Sequence, residues 1–406
     1  MKLFKRLPLL ITAVLSVLTA GCIPSELYLK VDMSEPGTDL KIAAVLPLSG
    51  RNKVAAEQMA EGMKMAEYEL NANSVTGRGQ LQLKFFDSKG SADGAMEAVE
   101  AAAKWGAAGI IAGYSTEEVS DILPHAVRHQ MPVVIPLATS NEHTDLSPFV
   151  FRNSYTDRQQ SEVLANYLLH WRQAKTLGIF LDESKDVVYQ NNIARDTAQA
   201  FQDIGGKVTA TLLTKQIPEE KDIVALLKTD PEAILVTFGG KEAGILIRKL
   251  REAGFTGIIC GPDSWDTDEL VMPLQNIKVG ECLYTAFFNA ENESQEFKKF
   301  KKEFRKRFYY YPGARETQSY DALKFMVVGF YRAETLLDFD RNWRSIQQHQ
   351  GAAARYTMLP KGDIDRTIYI NTIGVRRNGK GLEAFSRFSR QIQYSRIKMY
   401  NPDYYK

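Results

Sequence analysis

Ser115 and Thr116 stand immediately before a stretch with helical periodicity that runs to His129. At a helix start, two hydroxyls lie beside backbone N–H groups that have no partner inside the helix, and the helix dipole adds partial positive charge. That combination suits an anion. The same residues serve equally as a cap, because Ser115 with Glu118 three positions on has capping-box spacing. Thr139 and Ser140 follow the apolar run Pro132–Ile135 and can supply further donors or simply turn the chain. Asp263 follows Ile258-Ile259-Cys260-Gly261-Pro262, at the end of another apolar run. A carboxylate there can pair with an ammonium group or cap the next segment. Trp265, Phe287 and Phe288 are candidates for an apolar pocket wall and equally for plain core.

These are binding groups, and reaction machinery does not accompany them. His125, His129, His143, His170 and His349 are scattered, and none neighbours a serine elbow, a cysteine nucleophile or a metal-ligand pattern. The chain carries no phosphate loop of Walker type and no GxGxxG. Acidic pairs such as Asp182-Glu183 occur at this density by chance. The expectation is a binding protein, not an enzyme, with no cofactor and no structural zinc. The formal net charge of +2 gives no broad field to recruit nucleic acid. The one basic run, near 298–307, reads as a solvated helix face.

The elements that must position these groups alternate. Apolar strands are expected at Lys41–Leu48, Leu81–Phe86, Gly109–Ala112 and Pro132–Ile135, separated by helical stretches at Val54–Ala72, Ala92–Lys104 and Thr116–His129. A second series follows. Its strands are Thr176–Leu181, Lys207–Leu213, Ala233–Phe238 and Gly257–Cys260. Its helices are Asp157–Trp171, Asn191–Ile204, Pro218–Lys228 and Glu242–Ala253. Strands this apolar, spaced by helices, indicate parallel sheets covered on both faces. With 406 residues and two such series, the expected fold is α/β, with two doubly wound parallel-sheet lobes. In open sheets of this kind ligands sit outside the carboxyl ends of the strands, where Ser115, Thr139 and Asp263 fall.

Residues 1–22 form a separate unit. Lys2, Lys5 and Arg6 precede an uncharged stretch from Leu7 to Leu18, and Leu18-Thr19-Ala20-Gly21-Cys22 follows. The stretch is short for a membrane span and reads as a secretion signal. Its ending resembles the bacterial lipobox, which implies cleavage before Cys22 and lipidation of its sulfur. Several acyl chains, at about 0.8 kcal/mol per buried CH₂, would anchor the protein to a membrane. Ile23 follows the cysteine, so the aspartate linked to inner-membrane retention is lacking. Residues 23–39, with Pro24, Ser25, Ser34, Pro36 and Gly37, have the composition of a tether. The other cysteines, Cys260 and Cys282, can pair in an oxidising compartment or lie buried as free thiols.

The order of segments from about residue 40 to 375 resembles the type I periplasmic binding proteins, and most of all those that serve ABC transporters for leucine, isoleucine and valine. The resemblance is carried by Leu46-Pro47-Leu48-Ser49-Gly50, Phe86-Asp87-Ser88, Gly113-Tyr114-Ser115-Thr116, Ile135-Pro136-Leu137-Ala138-Thr139-Ser140, Phe151-Arg152, Gly261-Pro262-Asp263, Tyr320-Asp321-Ala322 and Gly362-Asp363-Ile364-Asp365-Arg366 with Tyr369-Ile370. It implies two lobes joined by a three-strand hinge, with crossings near Asn153–Tyr155, Tyr284–Thr285 and Leu337–Asp340. Lobe I would comprise 40–154 plus 285–337, and lobe II 155–284 plus 338–400. The resemblance also implies that Ser115, Thr116, Thr139 and Ser140 grip an α-carboxylate, with Ala138 among the ligand-binding residues, that Tyr189 faces the cleft from lobe II, and that Asp263 takes an ammonium group beside Trp265 and Phe287. The implied function is an exported lipoprotein that captures an amino acid or similar small carboxylate and presents it to an ABC transporter permease.

The pattern departs from the family at several points. Ala55-Ala56 stands where Tyr-Gly is common, Gln190 follows Tyr189 where glycine is usual, and the Ser-Ser turn lacks its proline and is one residue shorter. Arg51 and Lys53 add positive charge to the first loop; facing a cleft, Arg51 would call for an extra acidic group on the ligand. Leu46-Pro47-Leu48-Ser49-Gly50-Arg51 is also similar to outer-membrane lipoproteins of the same fold that activate peptidoglycan synthases by contact. That alternative needs no solute, and a ligand sensor feeding a membrane receptor is a third.

Overall fold

A computed structural model describes residues 38–73, 79–183, 187–378 and 381–397. The signal segment, Cys22 and all but the last two residues of the tether lie outside the described residues.

The chain opens as β1 (Leu40–Leu46), α1 (Lys53–Ala72), β2 (Leu81–Asp87), α2 (Ala92–Trp105), β3 (Gly109–Ala112), α3 (Thr116–Arg128), β4 (Val133–Ile135) and β5 (Val150–Arg152). These strands form one parallel sheet in the order β2-β1-β3-β4-β5. Alternation in β1 sorts its side chains between the two faces. Ile42, Ala44 and Leu46 join the cluster that holds Met59 and Met63 of α1, while Ala43 and Val45 pack with Ala95 and Val99 of α2 and Ile122 of α3. Each fully buried methionine or isoleucine contributes about 1.5–3 kcal/mol.

The second series is α4 (Asp157–Asn166), β6 (Thr176–Asp182), α5 (Val187–Asp203), β7 (Lys207–Thr214), α6 (Glu220–Leu227), β8 (Ala233–Val236), α7 (Gly240–Glu252), β9 (Ile258–Gly261), α8 (Asp268–Val271) and β10 (Cys282–Ala286). Its strands run parallel in the order β7-β6-β8-β9-β10. Helix α5 starts four residues before the expected Asn191, and this puts Tyr189 in its first turn.

The chain then returns to the first sheet with α9 (Gln295–Phe308) and α10 (Ala314–Phe330). Helix α10 lies tightly along α1: a Cβ on Gly62 would meet the Glu316 carbonyl oxygen at 2.0 Å. Helix α11 (Leu336–Arg344) follows, then the short strands β11 (His349–Gln350) and β12 (Arg355–Met358), the long hairpin β13 (Ile364–Asn378) and β14 (Gly381–Gln393), and a last turn α12 (Tyr394–Ile397). Strand β13 runs antiparallel to β10 and completes a mixed second sheet. This is the α/β architecture of two sheet-centred lobes that the alternation of strands and helices predicts.

The third crossing falls later than Leu337–Asp340. Those residues lie inside α11, which Thr335 and Asp338 cap, and Phe339 and Trp343 are buried against Phe151 at ring distances of 4.8 and 5.2 Å. An aromatic cluster this deep holds the segment on the first lobe. The stretch after it stays there too, because the Asp321 carboxylate of α10 accepts from Ala352 N, Ala353 N and Tyr356 OH. Strands β11 and β12 join the ladder of the second sheet through β13, and β13, from Ile364, is the strand that carries the chain back to β10.

Cys260 and Cys282 are free and buried. In the parallel register Cys260 lies opposite Leu283 and Cys282 opposite Ile259, so the two thiols project from opposite faces of the sheet and cannot meet. Burial pushes the Cys282 thiol up to about 12.

Candidate functional site

A cleft of about 700 Å³ opens between the lobes, at the carboxyl ends of β3, β4, β9 and β10. Ser115, Thr116, Ala138 and Thr139 line it from the first lobe, and Tyr189, Asp263 and Phe287 from the second lobe and the segment that leaves it.

Ser115 is the N-cap of α3, its hydroxyl accepting from Glu118 N at 3.3 Å. Buried Glu118 accepts from Tyr114 N at 2.8 Å and from the Ser88 hydroxyl, which ties the turn to the end of β2. The cap and the cleft lining are therefore one structure: Ser115 secures the helix start that it and Thr116 present to the cleft. Thr139 is buried, and its carbonyl accepts from Asp157 N at 2.8 Å across the first crossing. The Ala138 carbonyl accepts from the Ser154 hydroxyl at 2.8 Å.

On the facing lobe the Tyr189 hydroxyl donates to Asp263 at 2.5 Å. Gln160 of α4 accepts from Asp263 N at 3.3 Å and from the Thr285 hydroxyl at 2.7 Å. Burial pushes the Asp263 carboxyl up, against the hydrogen bonds from Tyr189 and Gln160. Burial likewise pushes Asp157 up to about 7, with the charge of Asp263 adding to it. A cation held here would repay part of that cost.

Asp157 gives a test by pH. Its folded value lies above the unfolded one, so the folded state holds a proton that the unfolded chain releases, and stability falls as pH rises between about 4 and 7. The Asp157→Asn variant is expected to be more stable than the parent at pH 8, with the gain vanishing towards pH 4. Urea midpoints across that range check it, and a difference independent of pH would show that Asp157 titrates normally.

Phe287 stacks on Tyr155 with ring centres 4.1 Å apart, and Phe288 packs on Phe297. Trp265 does not face the cleft. It is fully buried under Gly261, where a Cβ would strike its ring at 2.1 Å, and its indole N–H donates to the Phe238 carbonyl at 3.0 Å. Its large apolar surface goes into the core of the second lobe, as is usual for tryptophan. Arg51 and Lys53 also stay off the cleft: Arg51 is exposed, and Lys53 reaches Glu57 at 3.6 Å along α1.

Sequence reasoning missed Gln58, Tyr114 and Arg315 on the first lobe, and Asp266, Tyr284 and Ser386 on the second. Asp266 stands three positions after Asp263 and accepts from Tyr284 OH at 3.3 Å; burial pushes its carboxyl up to about 6. Arg315 follows Pro312-Gly313 at the start of a helix, a signal that marks a turn without saying which cleft it faces. Among the described residues no group of three or more histidines, cysteines and carboxylates could hold a metal ion.

Residues 39–359 match the family model for periplasmic binding proteins. A Leu/Ile/Val-binding protein homologue of Brucella melitensis is 28% identical over 240 residues, 57% of this chain and 63% of that protein, so the chain spans under two thirds of that relative's length. A leucine-binding protein of Thermotoga maritima superposes with a TM-score of 0.72 at 23% identity, over 90% of this chain and 99% of that one. A branched-chain amino acid transporter substrate-binding protein of Streptococcus pneumoniae, solved with isoleucine, gives a TM-score of 0.71 at 18% identity, over 87% and 99%. With the family model covering most of its length, the chain belongs to the periplasmic binding protein family.

Proposed function

We propose that this protein is an extracytoplasmic receptor that captures an amino acid or similar small carboxylate between its lobes and delivers it to an ABC transporter. One observation carries the reading. Hydroxyls and a helix start on one lobe (Ser115, Thr116, Thr139) face a tyrosine–carboxylate pair on the other (Tyr189 with Asp263) across a single cleft. The first set suits a carboxylate and the second an ammonium, which are the two ends of an α-amino acid. Because the two sets sit on different lobes, a ligand that touches both binds the closed form better than the open one, and that difference is what drives closure. In this reading residues 1–22 direct export, Cys22 carries the lipid and the stretch to residue 39 is the tether. Among the described residues no helix is long and apolar enough to cross a membrane.

The experiment is thermal shift against a panel of amino acids and small carboxylates, after unfolding and refolding to strip copurified ligand. A ligand at about 100 times its Kd adds about 2.7 kcal/mol to stability, a shift of several degrees. A panel that is flat throughout would overturn the receptor reading and favour a protein that acts through surface contact.

A further inference from the structure

Part of the cleft is charged rather than apolar. Arg315, in the first turn of α10, faces it from the first lobe. Its Nη1 donates to Gln58 Oε1 at 2.9 Å and its Nη2 to the Tyr114 hydroxyl at 3.2 Å, with the Tyr114 ring 5.4 Å from the guanidinium carbon. Both partners are neutral, and among the described residues Arg315 makes no ion pair. Of the carboxylates whose charge reaches it, Glu316 is taken up by Tyr310 OH and Gly313 N, each at 2.9 Å, and Asp266 stands across the cleft with Tyr284.

The two charges facing each other are not equivalent. A guanidinium cannot lose its proton, so when the lobes close over a ligand Arg315 goes into the interior as a cation and requires an anion. Asp266 does not meet it: it makes no ion pair with Arg315 and accepts from Tyr284 OH on its own lobe at 3.3 Å, while burial pushes its carboxyl up to about 6 and the charge of Arg315 draws it back. The group that the ligand must match is therefore the cation. An aliphatic ligand side chain would leave it facing hydrocarbon.

We propose that Arg315, aimed by Gln58 and Tyr114, determines specificity, and that the ligand is an α-amino acid whose side chain ends in a carboxylate rather than a branched-chain amino acid. This rests on the reading of the cleft as an amino acid receptor: Asp263 and the Ser115 turn hold the α-amino acid end, and Arg315 takes the second carboxylate as a planar, two-pronged donor.

The test is calorimetric titration of the refolded protein with L-glutamate, L-aspartate, their amides and L-leucine. At least one of the two acids is expected to bind tenfold or more tighter than its own amide and than leucine. In the Arg315→Met variant that preference should fall by roughly 10- to 100-fold, the value of a charged hydrogen-bond pair. Arg315→Lys keeps the charge without the fork and should lose part of the preference; it also serves as the readout if the methionine variant does not fold. Leucine or an amide binding as well as the acids, or an acid-to-amide ratio unchanged in both variants, would overturn the role of Arg315 and leave the amino acid receptor standing. Binding of none of these ligands, by a protein with native circular dichroism and a cooperative melt, would overturn both.

Discussion

Asp263→Asn is expected to lower affinity for an α-amino acid by roughly 100-fold or more while leaving the melting temperature of the free protein unchanged or slightly raised. Both halves follow from the same burial. The carboxylate accepts from Tyr189 at 2.5 Å and is held among groups that favour its charge, yet desolvation dominates and pushes its carboxyl up. The charge is therefore a cost to the empty protein, which an asparagine of the same shape relieves while keeping an oxygen for Tyr189. With an ammonium group bound, the same charge sits in a charge-assisted hydrogen bond in a closed, low-dielectric cleft, and its loss leaves a buried cation unpaired. Titration calorimetry and a melt of the same preparation separate the two effects. A large fall in melting temperature with affinity preserved would make Asp263 a structural cap. Groups that raise function while costing stability are what a binding site is expected to contain.

Much of the fold was legible in the chain because each lobe alternates buried strands with amphipathic helices, and both patterns are local. The apolar run at Ile258–Cys260 and the alternation at Leu81–Phe86 have to be strands for their side chains to find cover. The third crossing was not legible, since the burial of Phe339 and Trp343 against Phe151 joins residues almost two hundred positions apart. The site divides the same way. Ser115, Thr139 and Asp263 could be placed because a strand end is marked by its own neighbours. Trp265 stands two residues after Asp263, yet faces inward, because a one-turn 3₁₀ helix at Asp263–Trp265 rotates it under Gly261. Arg315 comes to the cleft on a helix whose position depends on the close approach of α10 to Gly62, and no residue near it in sequence says so.

Arg366→Met is expected to destabilise the protein by about 2–4 kcal/mol and to loosen the coupling between the lobes. Arg366 is fully buried at the start of β13, where the third crossing begins. Its Nη1 donates to the Asn153 carbonyl at 3.0 Å, on the first crossing, and its Nη2 to the Phe287 carbonyl at 2.7 Å, on the second. Its Nε reaches Thr367 O at 3.1 Å on its own strand. One guanidinium thus holds all three crossings by their backbones, with the stacked rings of Tyr155 and Phe287 and that of Tyr356 each 5.2–5.4 Å from its centre. The three carbonyls do not count equally. Asn153 O also accepts from Gln318 Nε2 at 2.6 Å and stays satisfied, whereas a methionine leaves Phe287 O and Thr367 O without this partner, at about 1–3 kcal/mol for each buried group so exposed. Removing the buried charge returns part of that cost, which sets the upper end of the range. A planar donor with fixed angles also restricts the relative directions of the three strands. Urea unfolding tests this: the variant is expected to unfold at lower urea and in two transitions, one per lobe, and the parent in one. A single transition with a midpoint unchanged would mean that the strands of the hinge hold their geometry by packing alone.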